Sequence, residues 1–244
     1  MNLHLVGGFL GSGKTTAIIG AAKLLLARGQ RVGVITNDQG KYLVDTAFVR
    51  LAGVPTVEVT GGCFCCNYDD LDEHLDRLVS EVRPDVIFAE SVGSCADIIA
   101  TVVKPLLALR PGGEAPASYS VFVDSRLLQI RLAGMSMPFS ESVMYIFDKQ
   151  IEEAGLLILN KADLLDEHEK TDLFAQGCAA YPDKALRLQD SCDVREIEEW
   201  LELITSGRLP LPKQSLQIDY DRYAAGEAEL AWLNEEFLIV LPPA

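Results

Sequence analysis

"GGFLGSGKTT", residues 7–16, decides how the rest of the chain is read. Gly8, Gly13, Lys14 and Thr15 fit the pattern G-x-x-x-x-G-K-[ST], with an apolar run before it and an amphipathic stretch after it. A strand, a glycine-rich turn and a helix N-terminus in that order make a cradle of inward-turned backbone N–H groups for an anion. The residues expected to line it are Gly8, Gly11, Ser12, Gly13, Lys14, Thr15 and Thr16. Lys14 is expected to reach β and γ phosphates, and the Thr15 hydroxyl to bind Mg²⁺.

Working outward, short apolar runs alternate with longer amphipathic stretches: "LHLVG", "RVGVITN", "TVEVTG", "DVIFAES", "YSVFVDS", "LLILNKAD" and "ALRLQDS". That rhythm predicts an α/β fold, a doubly wound and mostly parallel sheet of the phosphate-loop GTPase type. Helices are expected over roughly 14–28, 68–82, 96–109, 140–153, 168–179 and 194–204. In such a sheet the carboxyl ends of parallel strands share a rim where ligands bind. The polar stretches after the first, third, fourth and sixth runs therefore meet there. "RPGGEAPAS" (110–118) reads as a loop and "GRLPLPKQS" (207–215) as a linker. The expected organisation is a GTPase domain over 1–206, followed by a linker and a short docked tail or shortened second domain over 207–244. In that tail "AAGEAELAWL" predicts a short helix and "EEFLIVL" a strand.

"ILNKADLL" (158–165) supplies Asn160, Lys161 and Asp163 in the pattern N-K-x-D. A carboxylate at Asp163 accepts from both N1–H and the exocyclic amine of guanine, whereas adenine has no matching donor pair. The Lys161 stem covers the base and Asn160 braces the loop. Guanine is the expected base.

Cys63, Cys65 and Cys66 crowd into "GGCFCC", residues 61–66. Three soft sulfur ligands suit Zn²⁺, Cu(I) or a related ion, and they leave one coordination position open. Buried apolar cysteines, a redox pair or a structural zinc site are the competing readings. Cys95, Cys178 and Cys192 read as core filling, and His4, His74 and His168 as structural or surface residues.

The chain has 244 residues and a formal net charge of −15, with 21 Lys plus Arg against 36 Asp plus Glu. That field repels nucleic acid and anionic lipid, so neither is an expected partner. With no apolar run near membrane-spanning length and no basic leader, a cytoplasmic location with reduced thiols is expected.

Together these motifs resemble the CobW family of GTPases, relatives of the nickel-insertion GTPases that mature urease and hydrogenase. "GGFLGSGKTT" matches the phosphate loop, "GGCFCC" the C-x-C-C metal motif, "VIFAESVG" the Walker B strand and "LLILNKADLL" the guanine loop. The resemblance implies Glu90 as the Walker B acid near Mg²⁺ and Gly93 as the glycine whose backbone senses the γ phosphate. It sets "TNDQGKYLVD" where the family shows N-E-F-G, with Asp38 in place of the glutamate as a metal-ligand candidate. "LQDSCDV", around Ser191, loosely matches the loop that covers the base. The function implied is a GTP-hydrolysing metallochaperone that loads a client metalloprotein with a transition metal, Zn²⁺ first and Co²⁺ or Ni²⁺ as alternatives, with Lys14 and Glu90 as catalytic groups and a homodimer by analogy with the nickel-insertion relatives. No glutamine stands in an obvious Ras-like place in the sequence, so slow intrinsic turnover is expected. The alternative is a GTP-dependent interaction switch that protects or reactivates a cobalamin or corrinoid enzyme and holds only structural zinc. A small-molecule kinase would need an arginine-rich lid, for which 110–118 is a poor candidate.

Overall fold

A computed structural model describes residues 1–37, 44–59, 68–109, 116–209 and 211–230. Among the described residues seven strands form one sheet: β1 (Asn2–Gly8), β2 (Val32–Asn37), β3 (Thr56–Val59), β4 (Val86–Glu90), β5 (Pro116–Asp124), β6 (Leu156–Asn160) and β7 (Ala185–Gln189). Their order is β3-β2-β4-β1-β5-β6-β7, and every neighbouring pair is parallel. The expected fold class is therefore the observed one, and all seven apolar runs became strands.

Side-chain alternation along the strands sorts the core into two layers, one on each face of the sheet. Leu3, Leu5, Ile87 and Ala89 face one way; Val6, Val86 and Phe88 face the other. The first face packs α3 (Tyr68–Val82), α5 (Ser125–Leu132), α6 (Glu141–Glu153) and α7 (Glu167–Ala180) through Leu71, Leu75, Leu128, Phe147 and Leu173. The second packs α1 (Lys14–Ala27), α2 (Val44–Leu51) and α8 (Val194–Thr205), where Trp200 lies against Phe88 and Phe122 with ring centroids 6.0 and 5.3 Å apart.

Two helices, α2 and α5, were absent from the expectation. Each has eight residues, too short for a 3.6-residue period to stand out from the flanking strands. The stretch expected as one helix over 96–109 is a π-helical turn at Ile99–Val103 running into α4 (Lys104–Leu109), entered through Asp97 in the left-handed region at φ 67°. The last described helix, α9 (Tyr220–Glu229), begins four residues before the expected "AAGEAELAWL", because the Asp219 side chain caps it by accepting from the Arg222 N–H. The expected "EEFLIVL" strand lies outside the described residues. Cys95 is buried as expected, whereas Cys178 and Cys192 are exposed, which corrects their reading as core residues. Both sit on surface segments, one on an outward position of α7 and one in the turn after β7.

Among the described residues no helix is long and apolar enough to cross a membrane.

Candidate functional site

The strand order reverses around β1. The chain leaves β1 toward β2 and β3, returns to pair β4 with β1, and then continues on the other side through β5 to β7. A crevice opens at such a switch point, outside the carboxyl ends of the strands. Here register sets Glu90 beside Val6, Gly8 beside Phe122 and Asp124 beside Asn160, so β1, β4, β5 and β6 all end on this rim.

The turn between β1 and α1 passes through positive φ at Gly8, Gly11 and Gly13 (130°, 67° and 91°), a path that side-chain-bearing residues rarely follow. A Cβ at Gly13 would also strike the Asn160 amide. Helices α5 to α9 each begin with a side chain that caps a backbone N–H, but α1 begins at Gly13 with none. Its first N–H groups are left for an acceptor outside the helix. Lys14, only 7 % exposed, folds beneath the loop and donates from Nζ to the carbonyls of Gly8 (2.9 Å) and Phe9 (3.3 Å). Next to it the Thr15 hydroxyl donates to Glu90 Oε1 at 2.8 Å across 75 residues of sequence.

These groups wall a cavity of about 510 Å³, with Gly11, Gly13, Thr16, Gly93 and Lys161 also on its surface. Gly93 is required by close approach: a Cβ there would meet the Leu10 side chain at 2.5 Å and its backbone at 2.9 Å. Eight of the residues singled out from the sequence, Gly11, Gly13, Lys14, Thr15, Thr16, Glu90, Gly93 and Lys161, thus surround one space. The donor set fits a polyphosphate, through the N–H groups that open α1 and an ammonium. It also fits a small divalent cation, through a hydroxyl and a carboxylate already in contact.

The β6 side is braced differently. Asn160, 1 % exposed, donates from Nδ2 to the Ser12 carbonyl (2.6 Å) and accepts at Oδ1 from Ser191 Oγ (2.7 Å), while Gln189 Nε2 donates to the same Ser191 oxygen at 3.0 Å. Ser12 therefore enters the site through its backbone, as an anchor for Asn160. Lys161 sits in the left-handed region at φ 60° and pairs through Nζ with Asp124 Oδ2 at 3.0 Å. Asp163 is exposed and opens onto a neighbouring hollow of about 520 Å³ that it shares with Lys170, Arg187, Asp190 and Arg195.

Asp124 was not singled out from the sequence. It ends β5, caps α5 through the Arg126 N–H and holds both the Arg126 guanidinium and Lys161. Burial opposes its charge, but hydrogen bonds from Arg126 and Lys161 prevail and hold its carboxyl below the usual range. The "VFVDS" run gave no signal beyond an acid at a strand end. Phe48 on α2, 59 % exposed, also lines the cavity and has no motif to announce it.

Cys63, Cys65, Cys66 and Asp38 lie outside the described residues. Strand β3 ends on the ligand-bearing rim at Val59, four residues before Cys63. Among the described residues no three His, Cys, Asp or Glu side chains come together as a metal site.

The sequence matches the family described as CobW/HypB/UreG, nucleotide-binding domain, over residues 2–186. It is 29% identical over 188 residues to the zinc chaperone CobW of Sinorhizobium sp, covering 66% of this chain and 51% of that protein. It is also 29% identical over 170 residues to the zinc chaperone YeiR of Escherichia coli (strain K12), covering 66% of this chain and 46% of that protein. The chain thus aligns with about half the length of these relatives. The fold is similar to the crystal structure of HypB from Helicobacter pylori in complex with nickel, with a TM-score of 0.58 at 17% identity, covering 88% of this chain and 92% of the other. The family match takes in most of the 244 residues and every residue on the wall of the 510 Å³ cavity, and the chain therefore belongs to the CobW/HypB/UreG nucleotide-binding domain family.

Proposed function

We propose that this chain binds and hydrolyses GTP, and that the state of the γ phosphate governs binding and release of a transition metal, zinc first, at Cys63, Cys65 and Cys66 for a client metalloprotein. The observation that carries the reading is the shared rim: the Lys14–Thr15–Glu90 cavity, the Asn160–Asp163 segment and the end of the strand leading to the cysteines lie along one sheet edge. A family that includes relatives named zinc chaperones supports zinc over nickel or cobalt.

In this reading the N–H groups opening α1 and the Lys14 ammonium take the β and γ phosphates, the ammonium exchanging its present carbonyl partners for phosphate oxygens. Gly93 offers its backbone N–H to the γ phosphate. Thr15 and Glu90 would hold Mg²⁺, which supplies charge neutralisation on the β and γ oxygens when bound. Asp163 accepts from the guanine edge, Lys161 lies along the base face, and Asn160 ties the base loop to the phosphate loop through the Ser12 carbonyl. Hydrolysis transfers the γ phosphoryl group to water and leaves GDP and inorganic phosphate. Among the described residues no glutamine lines the cavity, and slow turnover is expected, on the order of 10⁻² per second or less.

The coupling is tested by measuring zinc affinity of the protein with a non-hydrolysable GTP analogue and with GDP, alongside Cys65→Ala. A nucleotide-dependent affinity that the variant loses is expected. Equal affinities in the two nucleotide states would overturn the coupling and return the structural-zinc alternative.

A further inference from the structure

Between Glu90 and the helical stretch that opens at Ile98, residues 91–97 form no helix or strand, yet all seven are buried. Loops ordinarily stay at the surface because buried backbone groups need partners. Here two helices supply several of them. From α6, Gln150 Nε2 donates to the carbonyls of Gly93 (3.0 Å) and Cys95 (2.9 Å), and Glu153 accepts from the N–H groups of Ile98 and Ile99 at 3.2 and 3.3 Å. From α9, the Tyr223 hydroxyl donates to the Ser94 carbonyl (3.1 Å) and accepts from the Ala96 N–H (3.4 Å). Glu227 accepts from Ser94 Oγ at 3.0 Å, and the Tyr220 hydroxyl reaches Asp97 Oδ2 at 2.7 Å. Asp97 is held at φ 67°, a strained backbone that persists only where its surroundings enforce it. A π-helical turn follows at once, a feature that concentrates at functional sites.

Helix α9 is in turn fitted to α6. A Cβ at Gly226 would meet the Ser142 carbonyl oxygen at 2.5 Å, the Asp219 N–H donates to the Tyr145 hydroxyl at 2.7 Å, and the Arg222 guanidinium lies 4.8 Å above the Tyr145 ring. The near end of the clamped segment is Gly93, on the cavity wall and packed against Leu10 of the phosphate loop.

We infer that Gln150 and Tyr223 are positioning residues for the nucleotide cavity: gripping 93–96 from two sides, they set where Gly93 stands, so that docking of α9 and recognition of the γ phosphate depend on each other. The inference rests on the GTP reading above. Coupling of this kind is reciprocal. A ligand that pulls Gly93 inward loosens or tightens α9, and a partner that takes hold of α9 alters the preference for triphosphate over diphosphate.

Tyr223→Phe removes one oxygen and leaves the ring in place; Gln150→Met removes both amide donors at similar volume. Affinities for GDP and for a non-hydrolysable GTP analogue are measured on the full chain, with backbone amide exchange of 91–98 in the nucleotide-free protein. The expected result for Tyr223→Phe is analogue affinity down about tenfold, GDP affinity within about twofold of wild type, and exchange of 91–98 faster by about tenfold, the net scale of losing the hydroxyl's bonds to Ser94 and Ala96. Parallel loss of both nucleotides, or no change in either, overturns the positioning role, and Tyr223→Phe decides this even if Gln150→Met does not fold. A wild type that binds neither nucleotide removes the GTP reading and this inference with it. A wild type that binds both, matched by an unaltered Tyr223→Phe, removes the inference alone.

Discussion

On the β1–β4 side of the cavity the chemistry-bearing groups are buried and already in contact: Lys14 is 7 % and Glu90 3 % exposed, and Thr15 joins one to the other's strand. On the β6 side the brace and the proposed base reader are separate residues. Asn160 is buried and fully engaged with Ser12 and Ser191, whereas Asp163 faces solvent in its own hollow. The difference follows from the ligand each side is suited to. A phosphate chain is small, highly charged and common to all nucleotides, so a rigid nest is the right receptor. A base is large, flat and must be discriminated, so a carboxylate open to an incoming edge is the right reader.

The contrast breaks first at Lys14. If the ammonium is the central phosphate group, Lys14→Ala lowers GTP turnover by about a hundred- to a thousandfold, the scale of one preorganised charge-stabilising donor, and single-turnover phosphate release measures it. A drop below about tenfold would mean the buried side is scaffold.

Asp163 and Asn160 separate reading from bracing. Asp163→Ala should weaken GTP binding by about ten- to a hundredfold, leave ATP binding where it was, and barely alter stability, because the side chain is exposed and only its bonds to the base are lost. Asn160→Ala should do the reverse in emphasis. Leaving the Ser12 carbonyl and the Ser191 hydroxyl without their buried partner costs about 1–3 kcal/mol in urea unfolding, with both nucleotides weakened alike. Equal behaviour of the two variants would erase the division of labour.

The smallest effect is a pH dependence behind the β4 wall. Burial raises the Glu153 carboxyl from 4.5 to about 7, against the pull of the Ile98 and Ile99 N–H groups. Its contribution to stability is present below pH 4.5 and is lost as pH rises through about 7, because the folded form holds its proton longer. His4 carries the opposite slope: burial lowers it from 6.5 to about 4, so its contribution is present above 6.5 and lost as pH falls through 4. The two oppose between 4.5 and 6.5. The difference between wild type and Glu153→Gln isolates the carboxyl, and the variant should gain stability relative to wild type as pH rises from 5 to 8. A difference independent of pH would assign Glu153 a fixed charge state and remove it as a titrating support of the 91–98 segment.

Much of this was legible from residue order. The phosphate loop is a local device in which glycine spacing, a preceding strand and a following helix all fall within about thirty residues. The N-K-x-D stretch is likewise local. Strand and helix periods marked all seven described strands, and they failed where elements were eight residues long, where Asp97 interrupted a helical pattern, and at the start of α9. Asp124, Gln150 and Tyr223 carried no such mark. Their importance depends on partners 37, 55–57 and 127–129 positions away, and each sits in sequence as an ordinary polar residue of a strand end or helix.

Residue order by itself determined the α/β class and the chemical types of the groups gathered on the rim, because backbone period and side-chain chemistry are properties of short segments. Only the tertiary structure decided which of those groups are locked and which are open. It showed Lys14 bonded under its own loop, Asn160 spent on bracing, Asp163 left to solvent, and a buried segment behind Gly93 held by two distant helices. The physical reason is that burial and long-range hydrogen bonding are set by how the layers pack, and packing joins residues that sequence keeps apart.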